Sequence, residues 1–314
     1  MSSQNHLTKL LLASPRGFCA GVRRAIEALN SALKTYPCQT IYCYHQIVHN
    51  TLVVKDFEKR GVKFVNNIEG VPDSSILVFS SHGVSPSIRQ QTIRKKLKTI
   101  DATCPFVNKT HLEVKKYATE GRKIIYIGHK SHDEAVGTTG EAPEASFIIE
   151  SAADIPDIPY STDSQVALIT QTTLSVDETE MLKQQLRQKF PNLIEPPKID
   201  ICMATQNRQN GVKDLVKQGA QLVVALGSPN SSNSNKLKGV AEKAGAKAVL
   251  LEEIADLDLA SLKNINCIGL TAGASLPEEK ISEAVKWFKS QGIQEVAEVS
   301  VADESRINLP PVQL

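Results

Sequence analysis

The sequence predicts an α/β protein built of three modules related by a pseudo-threefold repeat, each with a small, mostly parallel sheet. Three observations predict it. Cys19, Cys104 and Cys202 each follow a strand-like run and precede a helix-like one. From each cysteine to the polar loop behind the next strand the step is 30, 28 and 29 residues (19→49, 104→132, 202→231). A further strand in each module ends in small hydroxylated residues ahead of another helical pattern. Self-similarity at a fixed interval marks a repeated architecture, and continuous Val/Ile/Leu runs fit strands covered on both faces. The alternative is one large α/β fold with chance likeness between segments.

Module 1 spans 14–103. Behind the run Leu10–Ala13 comes the turn Ser14-Pro15-Arg16-Gly17-Phe18-Cys19, then a helical stripe of Val22, Ala25, Ile26, Leu29 and Leu33. The strand Thr40–Tyr44 leads to His49-Asn50, and Ser75–Ser80 leads to Ser81-His82-Gly83-Val84-Ser85 and a helix over 87–97. Module 2 spans 104–197 and follows Thr99-Ile100-Asp101-Ala102-Thr103. Its first stripe is weaker, with Val107, Val114 and Ala118 beside a buried or functional His111. Lys123–Gly128 then leads to His132, and Gln165–Ile169 leads to Thr170-Gln171-Thr172-Thr173-Leu174-Ser175 and a helix over 176–190. Module 3 spans 198–290 and opens on the strand-like Lys198-Ile199-Asp200-Ile201 before Cys202, with Val212, Leu215, Val216 and Gly219 behind it. Leu222–Gly227 leads to Ser231-Ser232-Asn233, and Asn266–Leu270 leads to Thr271-Ala272-Gly273-Ala274-Ser275 and a helix over 277–291. A strand over 7–13 would complete the third sheet, and 291–314 would form a C-terminal tail. Proline-bearing linkers fall at 155–159 and 195–197.

Composition narrows the function classes. With 36 basic and 34 acidic residues in 314, the formal charge is +2, which is no footprint for nucleic acid. No apolar run approaches the roughly 20 residues a membrane helix needs. The polar start and the short run after it do not match a signal peptide, so a cytoplasmic protein is expected. Six cysteines are too sparse for a disulfide scaffold. Cys38, Cys43 and Cys267 need no special role, and the last two lie in apolar strands where cysteine acts as a small hydrophobe.

Chemistry should collect beyond the carboxyl ends of the strands, where the polar loops fall. A helix starting after each cysteine would favour a thiolate or a phosphate at its N-terminus. Three thiols from three equivalent modules point to one shared metal or cluster. They would fill three corners of a four-iron cube, leaving one iron open to an outside oxygen ligand. Zinc held by three Cys and a His stays open, because neither close cysteine pairs nor cluster-type cysteine runs are present. His49, His82, His132, Ser231, Ser232, Asn233 and Ser275 form a donor set suited to phosphate oxygens. A nucleoside triphosphate is not expected, since no Gly-x-x-x-x-Gly-Lys-Ser/Thr run exists. Glu134 is either a general acid or a solvated loop glutamate, and Asp133 reads as a turn or capping residue.

The segments Pro15–Val22, Ile47–Asn50, Ser81–Ser85, Asp101–Pro105, Thr170–Ser175, Asn230–Asn235 and Thr271–Ser275 closely resemble the 4-hydroxy-3-methylbut-2-enyl diphosphate reductase family. The resemblance runs from about Leu10 to Pro277. It implies a pseudo-threefold fold around one 4Fe–4S cluster with Cys19, Cys104 and Cys202 as ligands and one open iron. It makes His49, His82, His132, Ser231, Ser232, Asn233 and Ser275 the diphosphate site. Glu134 resembles the proton donor, assisted by Thr172, with His132 beside them in the catalytic set. The implied reaction is a two-electron reductive dehydroxylation of the allylic alcohol diphosphate, the last step of the non-mevalonate isoprenoid pathway. The substrate oxygen would bind the open iron, and isopentenyl and dimethylallyl diphosphates would leave with water. A ferredoxin- or flavodoxin-type donor would supply the electrons, with no nucleic acid or membrane partner. Two positions depart from the family pattern: Asp133 stands where proline is common, and Val136 where an acidic residue is. The other readings are a quinolinate synthase-like cluster enzyme and a non-enzymatic iron–sulfur sensor. The tail around Arg306–Pro311 is a candidate to fold back over the site, and the first eight residues have no assigned job.

Overall fold

The computed structural model describes residues 8–314, so position 7 of the expected first strand and the residues before it lie outside the described residues. In chain order the strands are β1 (Lys9–Ser14), β2 (Ile41–Tyr44), β3 (Lys63–Val65), β4 (Ile76–Phe79), β5 (Lys98–Asp101) and β6 (Lys123–Ile127). They continue as β7 (Ser146–Ile149), β8 (Val166–Thr170), β9 (Leu222–Leu226), β10 (Lys247–Leu251), β11 (Cys267–Ala272) and β12 (Glu295–Ser300). The α-helices are α1 (Ala20–Thr35), α2 (Thr51–Lys59), α3 (Pro86–Arg94), α4 (Pro105–Thr119) and α5 (Asp133–Thr139). After them come α6 (Val176–Lys189), α7 (Met203–Lys217), α8 (Ser232–Lys243) and α9 (Glu278–Ser290). The predicted class holds: three small sheets of five, four and three strands, every ladder parallel. Among the described residues no helix is long and apolar enough to cross a membrane.

The chain gathers into two compact units. One unit, made of the described chain from residue 8 to Ala20, His49–Thr51 and Met203–Asn308, carries the five-stranded sheet in the order β10-β9-β11-β1-β12. Period-two alternation explains how both its faces are buried. Leu10 and Leu12 of β1 point into a core with Val224, Ile268, Leu270 and the α9 residues Ile281, Ala284 and Phe288. Leu11 and Ala13 point the other way, onto Val212 and Leu215 of α7 and Leu237 and Val240 of α8.

The other unit, Gly21–Val48, Leu52–Cys202 and Leu309–Leu314, carries the sheets β3-β2-β4-β5 and β7-β6-β8. β4 and β8 are buried at every position, as the apolar runs Ile76–Phe79 and Val166–Ile169 require. Tyr42, Leu77, Phe79 and Val84 form one core in this unit. A second lies between β6, β8 and α6, through Ile125, Ile127, Leu168, Leu186 and Phe190.

Two expectations change. The segment 198–201 is not a strand. The place beside β8 is taken by Ile194, whose N–H donates to Val166 O at 2.9 Å while its carbonyl accepts from Leu168 N at 2.9 Å. Pro196 and Pro197 then end any ladder, because neither has an N–H to give. The tail also contains a strand: β12 pairs with β1 from Lys9↔Glu295 to Ser14↔Ser300. Beyond it, Arg24 on α1 donates to Pro310 O at 2.7 Å and to Thr103 O at 3.0 Å, which ties the chain end to the turn before Cys104.

Candidate active site

In the two-sheet unit the loops after β6 and β8 are bonded to each other. Gln171 N donates to Ile127 O at 2.8 Å, and Gln171 Oε1 accepts from His129 N at 3.0 Å. This places Thr172 against Glu134, on the first turn of α5. Glu134 is only 1% exposed, so it is not a solvated loop residue. Its Oε1 accepts from Thr172 N at 2.7 Å and its Oε2 from Thr172 Oγ1 at 2.8 Å. Burial pushes the carboxyl up to about 7 and the nearby Asp200 adds to the rise, while the two Thr172 hydrogen bonds pull it down. A carboxylic acid so poised holds a transferable proton near neutral pH.

His132 caps α5, its Nδ1 accepting from Glu134 N at 3.2 Å. Its ring meets that of His82 edge-on, centroids 5.7 Å apart. Asp133 is not the cap: its carboxylate is hydrogen-bonded to His45 and lies 3.9 Å from His82 Nδ1. The His82 loop depends on Gly83, which has φ 78°, and a Cβ there would come within 2.7 Å of His111 Nε2. His111 is itself buried and bonded through Nδ1 to Glu141 at 2.8 Å. Cys104 and Cys202 are anchored to these loops by their backbones. Cys104 N donates to Ser81 O at 3.0 Å and Cys202 N to Thr172 O at 3.1 Å.

In the one-sheet unit Cys19 N donates to Ala274 O at 3.0 Å, joining its turn to the loop after β11. Ser275 Oγ in that loop donates to His49 O at 2.9 Å. Ser231 caps α8, accepting from Ser234 N at 3.3 Å, and Ser232 and Asn233 form the first turn. Asn233 is 4% exposed, yet neither atom of its amide has a partner among the described residues. A buried amide left unpaired costs free energy, so a ligand is expected to complete it. The N-terminal dipole of α8 favours an anion there.

Three polar contacts near these loops were missed by sequence reasoning. Asp133–His45 and Arg208–Glu304 carry no local signal. For Lys109, only its i,i+4 spacing to Glu113 was visible. The three thiols, by contrast, each stand at the start of a helix and are half-buried. Cys43, buried in β2, has its thiol pushed up by burial, as the hydrophobe reading requires. Among the described residues no disulfide forms.

Comparison with known proteins shows the family of the chain. The profile of the family described as LytB protein matches residues 10–289. The 4-hydroxy-3-methylbut-2-enyl diphosphate reductase of Rhodopirellula baltica is 45% identical, over 96% of this chain and 94% of its own. The enzyme of the same description from Nitrosomonas europaea is 47% identical, over 89% and 87%. Among solved structures, the E-1-hydroxy-2-methyl-but-2-enyl-4-diphosphate reductase of Plasmodium falciparum superposes with a TM-score of 0.91 at 39% identity, covering 97% of this chain and 96% of that one. A second, described as the terminal enzyme of the non-mevalonate pathway, gives 0.64 at 26% identity, covering 90% of this chain and 99% of that one. The chain belongs to the LytB family.

Proposed function

We propose that Glu134 is the proton donor of the LytB reaction in this chain and that Cys19, Cys104 and Cys202 hold one 4Fe–4S cluster. The chain is an oxidoreductase, a 4-hydroxy-3-methylbut-2-enyl diphosphate reductase acting last in the non-mevalonate pathway. Two electrons and two protons enter; the allylic hydroxyl leaves as water, and isopentenyl or dimethylallyl diphosphate remains. The alternatives of a quinolinate synthase-like enzyme and a sensor have no observation in their favour.

Family membership implies an iron–sulfur cluster. The donor set fits one: three half-buried thiols, each at the N-terminus of a helix of 15 or 16 residues, where the dipole favours a thiolate. When bound, the cluster supplies single electrons and a Lewis-acidic iron without a protein ligand. A small ferredoxin- or flavodoxin-type protein is the proposed reductant.

The rest falls to the chain itself. Glu134 delivers a proton to the leaving hydroxyl, and Thr172 fixes the carboxyl by both oxygens. His132 orients the same residue from its backbone side, capping Glu134 N. His82, His132 and His49, with Ser231, Ser232, Asn233 and Ser275, are assigned to the diphosphate. Support for that assignment comes from the unpaired Asn233 amide at the start of α8. Asn233→Leu should raise KM about 5- to 150-fold, the equivalent of roughly 1–3 kcal/mol of lost hydrogen bonding. Steady-state kinetics on the reconstituted enzyme reads this directly, and an unchanged KM would remove Asn233 from the site.

One observation carries the reading: a buried glutamate bonded twice to Thr172 and raised to about 7. Anaerobic reconstitution followed by Mössbauer spectroscopy tests it. One iron in four should change its ligation when the allylic alcohol diphosphate is added. Cys19→Ser, Cys104→Ser or Cys202→Ser should abolish cluster uptake, whereas Cys43→Ala should keep it. A spectrum indifferent to the substrate would overturn the assignment.

A further inference from the structure

The segment 198–202 reaches Cys202 without belonging to any sheet ladder; Cys202 N donates to Thr172 O at 3.1 Å, and the residues before it are held by side chains. These form a small polar node. Lys109 sits one turn into α4, the helix that starts directly after Cys104. Its ammonium donates to Asp200 Oδ1 at 2.5 Å, to Lys198 O at 3.1 Å and to Glu113 Oε2 at 3.0 Å. Those three contacts use all three donors an ammonium has. The other oxygen of Asp200 accepts from Thr170 N at 3.0 Å, at the end of β8. The Asp200 side chain is 2% exposed, that of Glu113 15% and that of Lys109 29%, so the node is shielded from water on its Asp200 side.

The node therefore joins three pieces of chain. One is the helix behind Cys104, the second is the strand end two residues before Thr172, and the third is the turn before Cys202. We infer that Lys109 is a positioning residue that sets the Cys202 turn against the Cys104 helix, so that both thiols are placed for the cluster. This rests on the cluster reading above. Lys109 touches no thiol in this scheme; it acts through Asp200 and the carbonyl of Lys198.

The test compares Lys109→Met and Lys109→Arg with the wild type. Hydrogen exchange on the metal-free proteins reads the turn by itself, and reconstitution reads the cluster. In Lys109→Met, amides of 199–202 should exchange faster while those of β4 and β6 keep their protection. Its affinity for the cluster should fall by at most about 10- to 100-fold, the cost of losing a direct outer partner of a metal ligand, because Lys109 acts on Cys202 one step further out. The EPR signature of the reduced cluster should change as well. Lys109→Arg, which keeps the charge and can reach Asp200, should restore most of the loading. Lys109→Met with wild-type exchange at 199–202, or with wild-type loading and spectrum, would overturn the inference. So would loss of protection throughout the two-sheet unit, because that marks a purely structural role. Wild-type protein that takes up no cluster would sink the cluster reading and this inference with it. Wild-type loading matched by the variant would sink the inference alone.

Discussion

Glu134→Gln lowers turnover by about 10²–10⁴-fold, the usual contribution of a positioned general acid, while cluster content and substrate binding stay near wild type. The amide keeps the size of the carboxyl and leaves Thr172 N an oxygen to bond, but it has no proton to give at neutral pH. A stability measurement separates this role from a structural one. The buried carboxyl is raised from 4.5 to about 7, so the folded state holds its proton more tightly than the unfolded chain. Its contribution to stability is therefore fully present below about 4.5 and is lost as pH rises through about 7. Glutamine has no such loss. The thermal midpoint of the variant relative to wild type should rise between pH 5 and pH 8, and a pH-independent difference would show that Glu134 is not the titrating group. The same protonation predicts a wild-type kcat/KM that declines above about 7. Loss of iron from the variant would make Glu134 structural instead.

Glu134 was legible in the sequence as a residue but not as a state. Its burial is created by Thr172, 38 positions away, and by a loop held through Gln171. The fold was more readily visible, because unbroken apolar runs such as Leu222–Leu226 have few alternatives to a covered parallel strand. Where that signal was equivocal, tertiary context decided. Lys198–Ile201 has a strand-like pattern, yet Ile194 occupies the neighbouring ladder and Asp200 turns inward to Lys109. Glu295–Ser300 alternates too weakly to stand out and becomes a strand only because β1 offers an open edge. The cysteines were found by spacing, whereas the groups that hold their turns are long charged side chains. Such residues read as a solvated face in any single helix.

Arg208 is the extreme of that class, and Arg208→Met is expected to cost about 3–5 kcal/mol of stability. Its side chain is among the largest fully buried ones in the chain. On α7, Nη1 donates to both oxygens of Glu304 at 3.1 Å and to Ala204 O at 2.8 Å, while Nη2 donates to Gly17 O at 2.8 Å. Gly17 leaves no slack: its φ is 64°, and a Cβ there would sit 3.0 Å from Ile281 Cδ1 and 3.1 Å from Leu276 O. Methionine would fill much of the volume but leave the Glu304 carboxylate, 13% exposed, without its cation and facing the neutral Asn207 amide. It would also leave Gly17 O, two residues before Cys19, without its donor. Urea unfolding of Arg208→Met, Glu304→Met and the double variant checks the origin of the loss. Replacing a buried pair with apolar groups is far cheaper than stranding one charge, so the double variant should lose less than the sum of the singles. Strict additivity would mean that the two groups are not coupled. Arg208→Lys should fall between, since one ammonium cannot span both the carboxylate and the Gly17 carbonyl as the planar guanidinium does. If the Lys variant matches wild type in stability but takes up less cluster, the Gly17 bond serves the Cys19 turn more than the fold.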